Sequence, residues 1–133
     1  MDISVALNNA RLEATRDFAD LGTGNSTILF YSTTQPLPGA AEAADPLVTI
    51  TLAKPCGSLI SNLLVLEQDA PAGDLIVNTG AALWGRWING NGDWMADGDV
   101  TDESGSGDFK VAGTAGTTLY AGGKAILGDT GLA

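Results

Sequence analysis

The sequence predicts a mainly β single domain, a β-sandwich or small barrel with one N-terminal α-helix. Three observations carry this. Apolar side chains recur at helical spacing only near the start of the chain. Short alternating or β-branched segments between turn residues fill the remainder. Thirteen of the eighteen glycines lie at or after Gly80, which makes the second half turn-dense. At 133 residues the chain fits one domain, residues 1–133, large enough to bury a core without disulfide or metal staples. No internal repeat or second domain shows.

The helix is expected over about 3–21, because Ile3, Leu7, Ala10, Ala14, Phe18 and Leu21 follow one another in steps of three and four and so share a face. That face should be buried against a sheet or a neighbouring subunit. Asp2 is the expected N-cap and Gly22 the expected stop. The β-rich region runs over about 27–127. TILFYS (27–32) is β-branched and aromatic; LVTITL (47–52) alternates, with Val48, Ile50 and Leu52 on one face. Between them, residues 35–46 hold three prolines and four alanines, a loop with at most one helical turn.

Pro55 and Gly57 should interrupt the pattern, and Leu59–Glu67 should resume it as one or two strands bent near Asn62. Strands follow at Leu75–Thr79 and Ala81–Ile88. NGNGD (89–93) is a turn by composition, since Asn and Gly accept positive φ. Residues 98–107 read as a polar, acidic turn, Phe109–Ala112 as a short strand, and LYAGGKAIL (119–127) as a last strand pair or one strand bent at Gly122-Gly123.

Sixteen acidic against six scattered basic residues give a net charge of −10, which makes nucleic acid a poor partner, because phosphate binding needs clustered cations. There is no histidine, and this removes Ser-His-Asp and Cys-His catalysis and the usual zinc ligand sets. Cys56 is alone, without a base to activate its thiol, and reads as structural. The chain is expected not to be an enzyme and to need no cofactor. Its N-terminus lacks the basic start and apolar core of a signal peptide, and Leu59–Leu66 is too short and too interrupted to cross a bilayer. No membrane partner is expected.

Ala82–Val100 (ALWGRWINGNGDWMADGDV) holds all three tryptophans and opens a run of carboxylates. Asp97, Asp99 and Asp102 are the weak candidates for a metal site, but no EF-hand register fits. A register starting at Asn89 puts Trp94 where Gly is needed, and one starting at Asp97 puts Asp102 there. Trp84 and Trp87 differ by three residues and point to opposite faces of a strand, which argues against a sugar-stacking platform and for packing by Trp84, Trp87 and Trp94 within a hairpin.

The leading helix ALNNARLEATRDF, the segment ILFYSTTQPLPGAAEAADPLVTITLAKP, the hairpin and the closing LYAGGKAIL together resemble small virion structural proteins of tailed bacteriophages and prophages. The resemblance covers most of the chain and is one of pattern, without a catalytic signature. It implies a non-enzymatic particle component made in the bacterial host cytoplasm: a capsid decoration or minor capsid protein acting as a homo-oligomer on the major capsid protein. A tail, neck or baseplate component is the alternative, and a calcium- or carbohydrate-binding module the alternative from another class. With −10 on each subunit, contacts between copies should be apolar and poor in carboxylates. Leu59, Ile60, Leu63 and Leu64, and Leu119, Tyr120 and Ile126, are the candidate interface, with the acidic segment 97–108 facing solvent or a cation.

Overall fold

The structure is a computed structural model that describes residues 1–133. One helix, α1 (Val5–Ala19), precedes eleven strands: β1 (Thr27–Tyr31), β2 (Val48–Ile60), β3 (Leu63–Gln68), β4 (Asp74–Leu75), β5 (Gly80–Ala81), β6 (Trp84–Ile88), β7 (Trp94–Asp102), β8 (Phe109–Ala112), β9 (Thr118–Leu119), β10 (Lys124–Leu127) and β11 (Gly131–Leu132). Nine of them form one sheet in the order β11-β3-β2-β1-β6-β7-β8-β10-β4, with β5 and β9 paired separately. The fold is mainly β with one helix, as the sequence predicts, and the large sheet curls into a half-barrel.

The curl is held by side chains where strand pairing stops. Gln68, at the end of β3, donates from Nε2 to Ala125 O and to Asp74 Oδ2, and its Oε1 accepts the Leu127 N–H. Asp74 Oδ2 also accepts the Thr51 N–H. These bonds return the β4/β10 edge to β2 and β3 and satisfy backbone groups that an open edge would leave unpaired. Thr130 spans the other gap: its Oγ1 accepts from Lys110 N and its carbonyl accepts from Leu66 N.

Within the curl lie Ile28, Phe30, Ile50, Leu52, Leu64, Leu66, Trp87, Phe109 and Val111, all buried. Phe30 and Phe109 tilt against each other with ring centroids 6.4 Å apart. Gly85 sits between them, and a Cβ there would lie 3.0 Å from both rings. The absence of a side chain at 85 is what lets the two rings fill the centre.

Several expectations need correction. β2 does not break at Pro55; it runs on to Ile60. Its register against β3 shifts between Leu52 and Gly57, so Pro55 falls in the unpaired stretch, where its missing N–H removes no ladder bond. That bulge anchors the helix terminus. Cys56 N–H donates to Asp20 Oδ1, and Lys54 Nζ donates to Gly22 O and Gly24 O. The bend near Asn62 is a tight hairpin turn with positive φ at both Ser61 and Asn62, the signature of a primed turn.

The helix begins later than expected, capped by Ser4, whose Oγ accepts the Leu7 N–H, and not by Asp2. Its rotation is the larger surprise. Leu12 and Ala19 are the buried residues, whereas Ile3, Leu7, Ala10, Ala14, Phe18 and Leu21 all face solvent. The physical reason is that both ends are fixed by polar bonds: Asn8 Nδ2 donates to Asn62 O, and Ala19 O accepts the Gly90 N–H. These bonds press the small Ala19 against the sheet and turn the apolar stripe outward.

The acidic segment 98–107 is not a turn throughout, since β7 extends to Asp102. Only residues 103–108 loop back, and β8 then pairs parallel to β7 with Val100 opposite Phe109. So short a parallel return requires Gly105 and Gly107, whose Cβ atoms would come within 2.5 and 2.8 Å of Thr101. The expected strand 75–79 shrinks to β4, and LYAGGKAIL divides into β9 and β10 at a turn where Gly122 has φ +92°. β11 was not expected at all.

Candidate functional site

Ala82–Val100 forms the β6–β7 hairpin around the Asn89–Asp93 turn, where Asn89 Oδ1 accepts the Asn91 and Asp93 N–H groups. One extra residue, Met95, is bulged, since Trp87 pairs with Ala96 but Ile88 with Trp94. As the parity of the sequence demands, Trp84 and Trp87 point to opposite faces. Trp87 enters the core, while Trp84 lies on the outer face of the sheet and is nonetheless buried. Trp94 is on the outer side and half-exposed. The three indoles form no common platform.

Trp84 is covered because the loop 32–46 crosses the outer face. It stacks on Tyr31 with centroids 4.5 Å apart and planes at 17°, and the Arg86 guanidinium lies 5.2 Å from its centroid, a cation–π contact. Arg86 is the centre of the arrangement. Its Nε donates to Asp97 Oδ1 at 2.8 Å and its Nη2 to Asp97 Oδ2 at 3.0 Å, a bidentate pair. Nη1 donates to Glu42 at 3.0 Å and Nη2 to Ala40 O at 2.6 Å, both in the crossing loop.

Asp97 is correspondingly saturated, because it also accepts the Gly39 N–H at 3.0 Å and Trp94 Nε1 at 3.1 Å. Burial acts to raise its pKa, but the hydrogen bonds from Arg86, Gly39 and Trp94 outweigh it and hold the carboxyl below its usual value. The hydrogen bonds that Arg86 donates to Asp97 raise the pKa of Arg86, against a smaller opposing effect of burial. This is a buried ion pair that straps a loop to a sheet. Both partners are filled by protein groups, and the expectation that residues 97–108 face solvent fails at Asp97.

The other acidic candidates are occupied separately. Asp99 Oδ1 accepts the Asp108 N–H, which is the main cause of its lowered pKa. Burial, and then the hydrogen bond and charge of Asp99, push Asp108 the other way. Asp102 Oδ1 accepts from Ser104 N, Ser104 Oγ and Gly105 N, and so closes the loop 103–108; the Ser104 hydroxyl is the first cause of its lowered pKa. Asp97, Asp99 and Asp102 therefore belong to three hydrogen-bond sets, and no three potential ligand side chains converge.

The candidate interface residues divide by strand parity. Ile60, Leu63, Tyr120 and Ile126 are exposed, as an interface requires. Leu59 is partly buried against the core. Leu64 and Leu119 are buried within it and cannot present a surface, which corrects their assignment. An apolar run marks burial on both faces only if both faces are covered; here one face of β3 looks inward and the other outward. The sequence reading also missed Arg86 as the partner of Asp97 and Glu42. Turn chemistry alone does not reveal it: a hairpin closed by Ile88 and Trp94 sets Arg86 opposite Ala96, and only the bulge at Met95 brings Asp97 opposite it.

Cys56 is buried, and that burial pushes its thiol up to about 12, which leaves no thiolate for chemistry. No helix is long and apolar enough to cross a membrane. Comparison with protein families, with curated proteins and with solved structures finds no match for this chain.

Proposed function

We propose that this protein is a non-enzymatic structural component of a tailed-phage particle, a capsid decoration or minor capsid protein that works as a homo-oligomer on the major capsid protein. The observation that carries the reading is the surface. Sixteen large apolar side chains are exposed, from Ile3, Leu7 and Phe18 on the helix to Ile60 and Leu63 on the β2–β3 hairpin and Tyr120 and Ile126 near the β4/β10 edge. Where such side chains share one face, as Ile3, Leu7, Phe18 and Leu21 do along the helix, they form the kind of apolar patch that marks an interaction surface. The groups that look like a site from the sequence, Asp97, Asp99 and Asp102, are instead engaged in holding loops, Asp97 through Arg86. The resemblance of the motif order to small virion proteins supplies the kind of assembly.

The test is to purify particles, strip the tails and probe for the protein. Retention on tailless heads is the expected outcome, and its loss with the tails would move the assignment to a neck, tail or baseplate component. Absence from whole particles would overturn the virion reading.

A further inference from the structure

We infer that the outward face of α1 is a contact between two copies of this chain, made with their helices parallel. The inference rests on the homo-oligomeric part of the reading above and not on the virion assignment. Leu7 is 50% exposed and Phe18 43%; Ile3 and Leu21 extend the stripe, and the exposed Ala10 and Ala14 lie between the large residues. The stripe points away from the side that buries Leu12 and Ala19. Trp94, 46% exposed, shares a shallow depression with Ala14, Phe18 and Met95 and widens the patch onto the sheet. Two small residues in the middle of a helix face permit close approach, and large ones around them supply the apolar area.

Charge identifies the occupant. A second copy brings another −10, so two copies must meet where the chain carries little of that charge. The borders of the stripe hold one cation, Arg11, and only two of the sixteen acidic residues, Glu13 and Asp17, while Arg16 lies on the sheet side of the helix. The face carries about one of the ten net negative charges. The charges are also placed with a direction. Around the helix, Arg11 borders one side of the stripe, and Glu13 and Asp17 border the other. Parallel pairing sets the basic border of each helix beside the acidic border of its partner, whereas antiparallel pairing sets like beside like. Arg11 of one copy then faces Glu13 of the partner subunit across both rims.

Sedimentation of the full chain over a concentration series, with Leu7→Glu and Phe18→Glu as variants, tests the surface. Each variant is expected to weaken association by about tenfold to a hundredfold, the effect of removing one large buried side chain, with an unchanged circular dichroism spectrum. Leu7→Cys tests the geometry. In a parallel pair the two new thiols meet and cross-link on oxidation, whereas in an antiparallel pair centred between Ala10 and Ala14 they are about 15 Å apart along the axis, too far for a disulfide. The wild-type chain is the control, since its only cysteine is buried. Undiminished association in both glutamate variants, with loss in Tyr120→Glu, would overturn the helix contact and leave the homo-oligomer intact. Association through the helix without Leu7→Cys cross-linking would overturn the parallel arrangement. A wild-type chain that stays monomeric at every concentration would overturn the contact and the homo-oligomer together.

Discussion

Asp97 shows how a residue can look like a functional group in the sequence and serve structure in the fold, here paired with Arg86. With both side chains nearly excluded from water, each ion survives burial only because the other, with Gly39, Ala40 and Trp94, completes its hydrogen bonds. Asp97→Asn leaves the guanidinium buried with half its charge balance removed, and it should cost about 3 kcal/mol of stability, within the range for breaking a buried pair. Urea unfolding checks this; a loss below about 1 kcal/mol would mean that the loop 32–46 detaches freely and the pair is in effect a surface one. The pH dependence has a definite sign. A folded pKa below 3.8 for Asp97 means that the unfolded chain binds the proton more tightly, so the pair's contribution is present above that pH and is lost as pH falls through the folded value. Asp108 behaves oppositely. Its folded pKa is raised, so stability declines as pH rises through the window above 3.8, where it ionises beside Asp99. Asp108→Asn should therefore stabilise the protein at neutral pH by a few tenths to about 1 kcal/mol, a solvent-screened effect, and the gain should vanish in acid. Unfolding midpoints at pH 7 and near pH 3 measure the difference, and an equal gain at both would assign it to something other than charge.

At the scale of elements, the sequence was most legible where side-chain period and turn chemistry agree. β1 and β8 lie within a residue of expectation and the β6–β7 turn sits where NGNGD puts it, although β6 starts at Trp84 and not Ala81 and β7 runs on to Asp102; TILFY and FKVA are strongly β-forming and NGNGD leaves few alternatives to a turn. Legibility failed where a tertiary partner overrides local preference. Aspartate disfavours strands, yet Asp97 sits within β7 because Arg86 stands opposite it, a cross-strand pair that no local window registers. Proline and glycine seemed to end a strand at 55–57, but a bulge accommodates the first and close approach needs the second: a Cβ on Gly57 would collide with the Val65 carbonyl. For α1, the period gave the element and its apolar stripe correctly but contained nothing about which way the stripe points, since polar anchors at Asn8, Ala19 and Asp20 decide the rotation. The consequence is measurable. Phe18→Ala in the core would cost about 3 to 5 kcal/mol, whereas at its exposed position it should change the stability of the isolated subunit by less than about 1 kcal/mol. A loss of several kcal/mol under dilute conditions would place Phe18 in the core after all.

For the whole molecule, the charge balance and the apolar surface make one joint prediction about assembly. Each subunit carries −10, and two subunits in contact repel through whatever part of that charge lies within a Debye length, about 10 Å at 0.1 M salt and about 30 Å at 0.01 M. At low salt nearly the whole of a small domain contributes to the repulsion; at moderate salt only the rim of the contact does. The attraction between apolar faces such as Leu7, Phe18 and Trp94 is not weakened by that change, and rim pairs such as Arg11 with Glu13 of the partner subunit contribute direction more than affinity. Raising sodium chloride from about 0.01 to about 0.15 M should therefore strengthen self-association. Sedimentation across a salt series at one protein concentration reads the sign. An oligomer that dissociates as salt rises would mean that ion pairs hold it. The helix cations Arg11 and Arg16 would then be the attraction, and the exposed leucines and aromatics would need another partner.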